Sequence, residues 1–200
     1  MTAEVQARLS RALDCISGAS SDYDLNPDTV LPEGRKLRPA GVLVPVRMIG
    51  GEARLYLTKR SSALKHHPGQ IAFPGGKQDP CDATIIDAAL REAKEEIGLA
   101  PEQVRVMGTM PFHETVTSFE VTPVLGIIEG DFTPVAEPGE VDEVFHVPLT
   151  HVLDGANFSV QSRRWRGTRR HYYTVPYGPY YIWGATARIL RALTDGWAAA

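Results

Sequence analysis

The chain has 200 residues, 43% of them hydrophobic and 22% charged, enough for one globular unit with a buried core. Its 21 basic and 24 acidic residues leave a formal net charge of −3, which argues against a dedicated nucleic-acid binder but leaves room for a small anionic ligand. Two cysteines, Cys15 and Cys81, form no C-x-x-C pair and suggest a reducing cytoplasm rather than a disulfide framework or a zinc site. No continuous apolar run reads as a secretory leader or a membrane span.

Val5, Leu9, Leu13 and Ile16 repeat at helical spacing and predict an amphipathic helix over 3–17. Segment 18–39, rich in Ser, Asp, Pro and Gly, reads as an irregular lead-in. Apolar runs at 40–48 and 53–60, separated by Gly50-Gly51, predict two strands. Residues 61–82 carry Pro68, Gly69, Pro74, Gly75 and Gly76 and read as a long functional loop. A helix over 83–98 follows, with Asp82 as its N-cap and Gly98 as its stop. Strands are expected at 103–110, 119–129 and 141–147, and a hairpin over 157–175 turning near Gly167. A second amphipathic helix closes the sequence, with Ile182, Ile189 and Leu193 as core. The pattern predicts an α/β (α+β) chain, an α/β/α sandwich with a mixed sheet, as one domain over 1–200.

On the 83–98 helix, Ile86, Leu90, Ala93 and Ile97 fall on one stripe, while Glu92, Glu95 and Glu96 crowd a small patch elsewhere. Carboxylates near a helix C-terminus meet the negative end of the macrodipole, at about 0.3–1 kcal/mol each. Like charges four apart add roughly 0.2–0.5 kcal/mol. Arg91 can pair with Glu95, but one Arg does not neutralise three Glu. A hard cation such as Mg²⁺ or Mn²⁺ does, because it prefers oxygen ligands and shares them with substrate phosphates. A bare E-x-x-E-E is usually a solvated helix face. Here Phe73-Pro74-Gly75-Gly76 precedes it, a turn where backbone approaches a ligand closely and where the Gly75 carbonyl offers a further metal ligand.

These residues resemble a known family. Gly76, Arg91, Glu92, Glu95, Glu96, Gly98 and Leu99 match the Nudix box, G-x5-E-x7-R-E-U-x-E-E-x-G-U with U apolar. Asp82 stands where the box has Glu, and eight residues rather than seven separate it from Arg91. Upstream, Leu57, Thr58, Arg60, Ser61, Gly69, Phe73, Pro74, Gly75 and Gly76 resemble the signature of the coenzyme A pyrophosphatase branch, with Tyr56 for Leu and Lys65 for Arg. The terminal YYIWGATARIL is also similar to that branch, and the likeness covers roughly 40–195, strongest at 57–99.

The resemblance implies a Nudix-type α/β/α sandwich, with residues 1–39 as N-terminal helix and lead-in and 40–195 as core. It implies hydrolysis of the pyrophosphate of coenzyme A or its derivatives with Mg²⁺ or Mn²⁺. Glu92 and Glu96 would be the first metal ligands, with Glu95 a third or the partner of Arg91, which orients the glutamates. Relatives place a general base on a downstream loop. Glu140 in 135–145 is preferred, with Glu114 and Glu120 as alternatives and Glu143 behind them. Arg60, Lys65 and Arg38 are the expected phosphate contacts, beside Gly76. His66 and His67 diverge and make no metal pair, and the basic-aromatic stretch 163–173 reads as a solvated hairpin edge. Partners are then a nucleotide substrate and neither nucleic acid nor membrane, and nothing excludes a homodimer. Two rivals stay open: a Nudix hydrolase of ADP-ribose, a dinucleotide or a nucleoside triphosphate, and a silent nucleotide sensor, which has no need of the costly acidic cluster.

Overall fold

A computed structural model describes residues 2–31, 34–165 and 167–200. Helix α1 (Ala3–Cys15) is capped by Thr2, whose hydroxyl accepts the Val5 N–H at 3.4 Å. The lead-in after it is not wholly irregular: β1 (Ser20–Ser21) pairs in parallel with β7 (His113–Glu114). Strands β2 (Arg38–Ile49) and β3 (Glu52–Arg60) join through the expected Gly50-Gly51 turn. The expected loop 61–82 contains two short strands, β4 (Ile71–Ala72) and β5 (Gly75–Lys77). Helix α2 (Ile85–Ile97) follows, then β6 (Val104–Thr109), β8 (Phe119–Ile128) and β9 (Val141–Pro148). A short α3 (Leu149–Val152), absent from the sequence expectation, leads to the hairpin β10 (Ser159–Trp165) and β11 (Thr168–Thr174). Arg166, in the middle of the basic-aromatic stretch, lies outside the described residues. The last helix, α4, spans Gly184–Ala199.

The sheet runs β1-β7-β8-β2-β3-β4, with β5 also on β2, β6 on β8 and β9 on β3. The β2/β8 and β1/β7 pairs are parallel and the rest antiparallel, so the sheet is mixed as expected. On its edge away from β8, β2 pairs with β3 at Val46–Ile49 but with β5 at Ala40–Val42. Thr58 and Lys59 of β3 pair with β4 instead. The two long strands therefore splay, and residues 71–77 fill the gap, held also by the Leu43 N–H on the Pro74 carbonyl at 2.8 Å.

Side-chain alternation along these strands builds two core layers. Leu43, Tyr56, Val124 and Ile128 meet Ala89, Ala93 and Ile97 of α2 on one face. Val44, Leu55, Leu57 and Leu125 meet Leu9 of α1 and Leu190 and Leu193 of α4 on the other. The arrangement is the expected α/β/α sandwich, and each fully buried Leu or Ile contributes about 1.5–3 kcal/mol. Helix α2 sits close because Gly41 carries no side chain: a Cβ there would collide with the Ile85 carbonyl and lie 3.0 Å from the Ala89 nitrogen. Both cysteines are free and exposed. Among the described residues no helix is long and apolar enough to cross a membrane.

Candidate active site

Helix α2 carries the acidic patch, and its start differs from the sequence expectation. Thr84, not Asp82, is the N-cap: its hydroxyl accepts the Asp87 N–H while Asp87 accepts the Thr84 N–H, a reciprocal capping box. The T-x-x-D pattern that encodes it was present in the sequence. Gly98 ends the helix at φ 71°, as expected.

Asp82 is freed for another task. Its two oxygens take a bidentate pair of bonds from Arg91, Nε to Oδ1 and Nη2 to Oδ2, both at 3.0 Å. It also accepts the Asp79 N–H at 2.8 Å. The Arg91 hydrogen bonds first, and the Asp79 N–H after them, hold the Asp82 carboxyl below its ordinary range against the opposing effect of burial. Arg91 is held more firmly protonated in return. Its Nη1 then reaches Glu92 and Glu95, each at 3.0 Å, and its Nη2 donates to the Lys77 carbonyl at 3.2 Å. The expected Arg91–Glu95 pair is present, within a wider network anchored by Asp82, a role the sequence expectation does not include.

Glu92 lies against the β5 backbone. A Cβ on Gly76 would sit 2.5 Å from Glu92 Cδ, so a side chain there would push the carboxylate out of this position. Glu96, one helical turn on, is 3% exposed. Its Oε2 accepts the Gly75 N–H at 3.2 Å, and Arg60 Nη1 stands 3.8 Å from its Oε1. Burial pushes the Glu96 carboxyl up to about 8; the Gly75 bond and Arg60 oppose that rise, and Glu92 and Glu140 add to it. Burial also raises Glu92, against the pull of Arg91. Glu95 is exposed at the edge of the patch.

The loop before β9 is fastened to the last turn of α2. Val135 N–H donates to the Ile97 carbonyl and Glu137 N–H to the Glu96 carbonyl, both at 3.0 Å. The Glu140 carbonyl accepts the Ser61 N–H at 2.8 Å, next in sequence to Arg60. Glu140 is exposed, and its charge bears on both Glu92 and Glu96. Two of the other three acids are engaged elsewhere: Glu114 pairs with Arg35 at 2.6 Å, and Glu143 accepts the Tyr180 hydroxyl at 2.6 Å. Glu120 stands opposite Glu114 in the β7–β8 ladder.

Glu92, Glu95, Glu96, Arg91, Gly75, Gly76, Arg60 and Glu140 thus gather around one notch. Lys65 is exposed on the β3–β4 loop. Arg38 is turned to the Thr117 carbonyl, at 3.0 Å, and the Phe119 ring, at 4.0 Å. The donor chemistry of the notch fits a hard divalent cation: carboxylate oxygens only, two of them desolvated, with more negative charge than Arg60 and Arg91 balance. Among the described residues no three acidic, His or Cys side chains are already drawn together as a metal cage, since Arg91 holds Glu92 and Glu95.

The NUDIX domain family matches residues 37–169, and the chain belongs to the Nudix family. It is 41% identical over 184 residues to the uncharacterized Nudix hydrolase NudL of Klebsiella pneumoniae subsp. pneumoniae, covering 86% of this chain and 95% of that one. It is 45% identical over 156 residues to NudL of Cronobacter sakazakii, covering 78% of this chain and 81% of that one. Among solved structures, the Nudix hydrolase RenU of M. Smegmatis is 28% identical, with a TM-score of 0.48, over 59% of this chain and 73% of that one. The protein is a Nudix pyrophosphohydrolase of a nucleotide derivative, and enzymes of this class generally use divalent metals.

Proposed function

We propose that the enzyme hydrolyses the pyrophosphate of coenzyme A or its derivatives to 3′,5′-ADP and 4′-phosphopantetheine. The observation that carries the chemistry is the buried Glu96, one turn from Glu92, against the Gly75-Gly76 backbone. Glu92 and Glu96 would hold Mg²⁺ or Mn²⁺, with Glu95 beside them. When bound, the cation supplies positive charge at the pyrophosphate oxygens. Arg91, itself fixed by Asp82, sets the rotamers of Glu92 and Glu95. Arg60, at the rim beside Glu96, would hold a phosphate oxygen of the pyrophosphate. Glu140 would take the proton of the attacking water. The water oxygen bonds to one phosphorus, the bridging P–O bond breaks, and two phosphomonoesters leave.

The choice of coenzyme A rests on the upstream likeness at 57–76, since the acidic notch serves any pyrophosphate. The test is kcat/KM with Mg²⁺ for coenzyme A, dephospho-coenzyme A and ADP-ribose. Coenzyme A is expected to be the best of the three. A clear preference for ADP-ribose would reject this substrate and leave the hydrolase class intact.

A further inference from the structure

A second recess opens on the opposite side of the same strand end. Lys59 continues the β3 face of Leu55 and Leu57, and Glu143 continues the β9 face of Phe145 and Val147, both toward α4. With Arg163 of β10, Tyr180, Tyr181 and Trp183, they line a cleft of about 650 Å³. That volume is in the range of small-molecule sites. The cleft and the acidic notch lie on opposite faces of the strand end at consecutive residues: Lys59 lines one, and Arg60 stands 3.8 Å from Glu96 in the other.

The lining has a definite chemistry. Tyr181 is 47% exposed, an aromatic ring presented to solvent. Its hydroxyl end is steadied: burial, and then the neighbouring Tyr172, raise its phenol to about 12. Arg163 lies over the Trp183 ring at 4.3 Å, and among the described residues no carboxylate pairs with it. Its guanidinium is positioned by a ring rather than an anion, so its donors remain for one. Glu143, the carboxylate in the lining, is tied to the Tyr180 hydroxyl at 2.6 Å, and Tyr180 in turn stacks on Phe145 at 3.6 Å. The hairpin edge expected to be merely solvated thus contributes a cation to the lining of an open cleft.

We propose that this cleft is the subsite for the nucleoside end of the substrate, with the base stacked on Tyr181 and a phosphate outside the scissile pyrophosphate held between Arg163 and Lys59. It rests on the acidic notch being where the pyrophosphate is cut. A nucleotide with its pyrophosphate at Glu92 and Glu96 would reach the cleft by crossing the sheet at Lys59 and Arg60, between β4 and β9. Two cations apart from the notch suit an additional phosphate, so the cleft would favour substrates that carry one over those that do not.

The test is calorimetric binding of adenosine 3′,5′-bisphosphate and of adenosine 5′-monophosphate to the full chain without divalent cation. The bisphosphate is expected to bind more tightly. Arg163→Ala and Lys59→Ala should each weaken the bisphosphate roughly 10- to 100-fold and close the gap between the two ligands. Tyr181→Ala should weaken both ligands roughly 5- to 100-fold, whereas Tyr181→Phe, which keeps the ring, should retain affinity. Wild-type affinity in Arg163→Ala and Tyr181→Ala overturns the subsite. If the bisphosphate binds as described while coenzyme A is not turned over with Mg²⁺, the subsite stands and the coenzyme A assignment falls. If coenzyme A is turned over with KM unaltered in Arg163→Ala and Tyr181→Ala, the reverse holds.

Discussion

His113 and Glu96 are both buried side chains that can carry charge, yet their surroundings differ in kind. His113 is fully buried, with Nδ1 2.9 Å from the Ser20 hydroxyl and Nε2 3.2 Å from Asp22. The other Asp22 oxygen accepts the Val116 N–H at 2.9 Å. Every ring nitrogen therefore has a partner, and the network ties β1, and with it the N-terminal segment, to β7. Glu96 receives one backbone N–H and a distant arginine, while Glu92 and Glu140 repel it. A buried polar group that is fully paired contributes to stability; one that is not costs stability and is kept for another reason. The two regions separate a polar core that serves the fold from one that serves a ligand.

The sharpest way to break this comparison is to neutralise Glu96. Glu96→Gln keeps the shape of the side chain and removes the charge. Turnover is expected to be lost while the metal-free melting temperature stays level or rises by a few °C. An active Glu96→Gln enzyme with its fold intact would end the metal-ligand role. Glu140→Gln comes next: kcat should fall roughly 10²–10⁴-fold, with metal affinity little changed. Full loss at Glu114 or Glu120, with Glu140→Gln normal, would move the base to the β7–β8 ladder.

His113→Ala should do the opposite of Glu96→Gln. It opens a cavity and strands Ser20 and Asp22, at a cost of about 2–4 kcal/mol in chemical denaturation. Activity per folded molecule should remain. A drop in kcat without a drop in stability would mean that this network belongs to the site after all.

How much of this could be read from the chain follows from distance along it. Helix α2 and its glutamates were legible because their spacing is local, and strands β2 and β3 because apolar runs flank a Gly-Gly turn. Strands β4 and β5 were not, since two- and three-residue strands exist only by pairing into the gap where β2 and β3 splay. Asp82 reads as a cap because a cap is the local use of an aspartate before a helix; its partner, Arg91, lies a further nine residues on. The Ser20–His113 contact spans 93 positions, and no local pattern encodes it. Glu140 came from resemblance alone, and its nearness to Glu92 and Glu96 depends on how the 135–141 loop fastens to α2.

The smallest expected effect is a pH dependence, and its sign separates the two regions again. The Glu96 carboxyl is raised from 4.5 to about 8 in the folded, metal-free protein. Between those values the folded state holds a proton that the unfolded chain has released. Stability therefore falls as pH rises through that window and levels off above it. Glu92, also raised, adds in the same direction. Asp82, whose carboxyl is lowered from 3.8, acts the other way, and its contribution is lost only in acid below that value. The metal-free melting temperature should thus decline by several °C from pH 5 to pH 8, and Glu96→Gln should flatten most of that slope. Millimolar Mn²⁺ should raise the melting temperature more at pH 8 than at pH 5, because a cation binds the deprotonated carboxylates. Equal slopes in wild type and Glu96→Gln would show that Glu96 ionises as an ordinary carboxylate, and the contrast with His113 would lose its energetic basis.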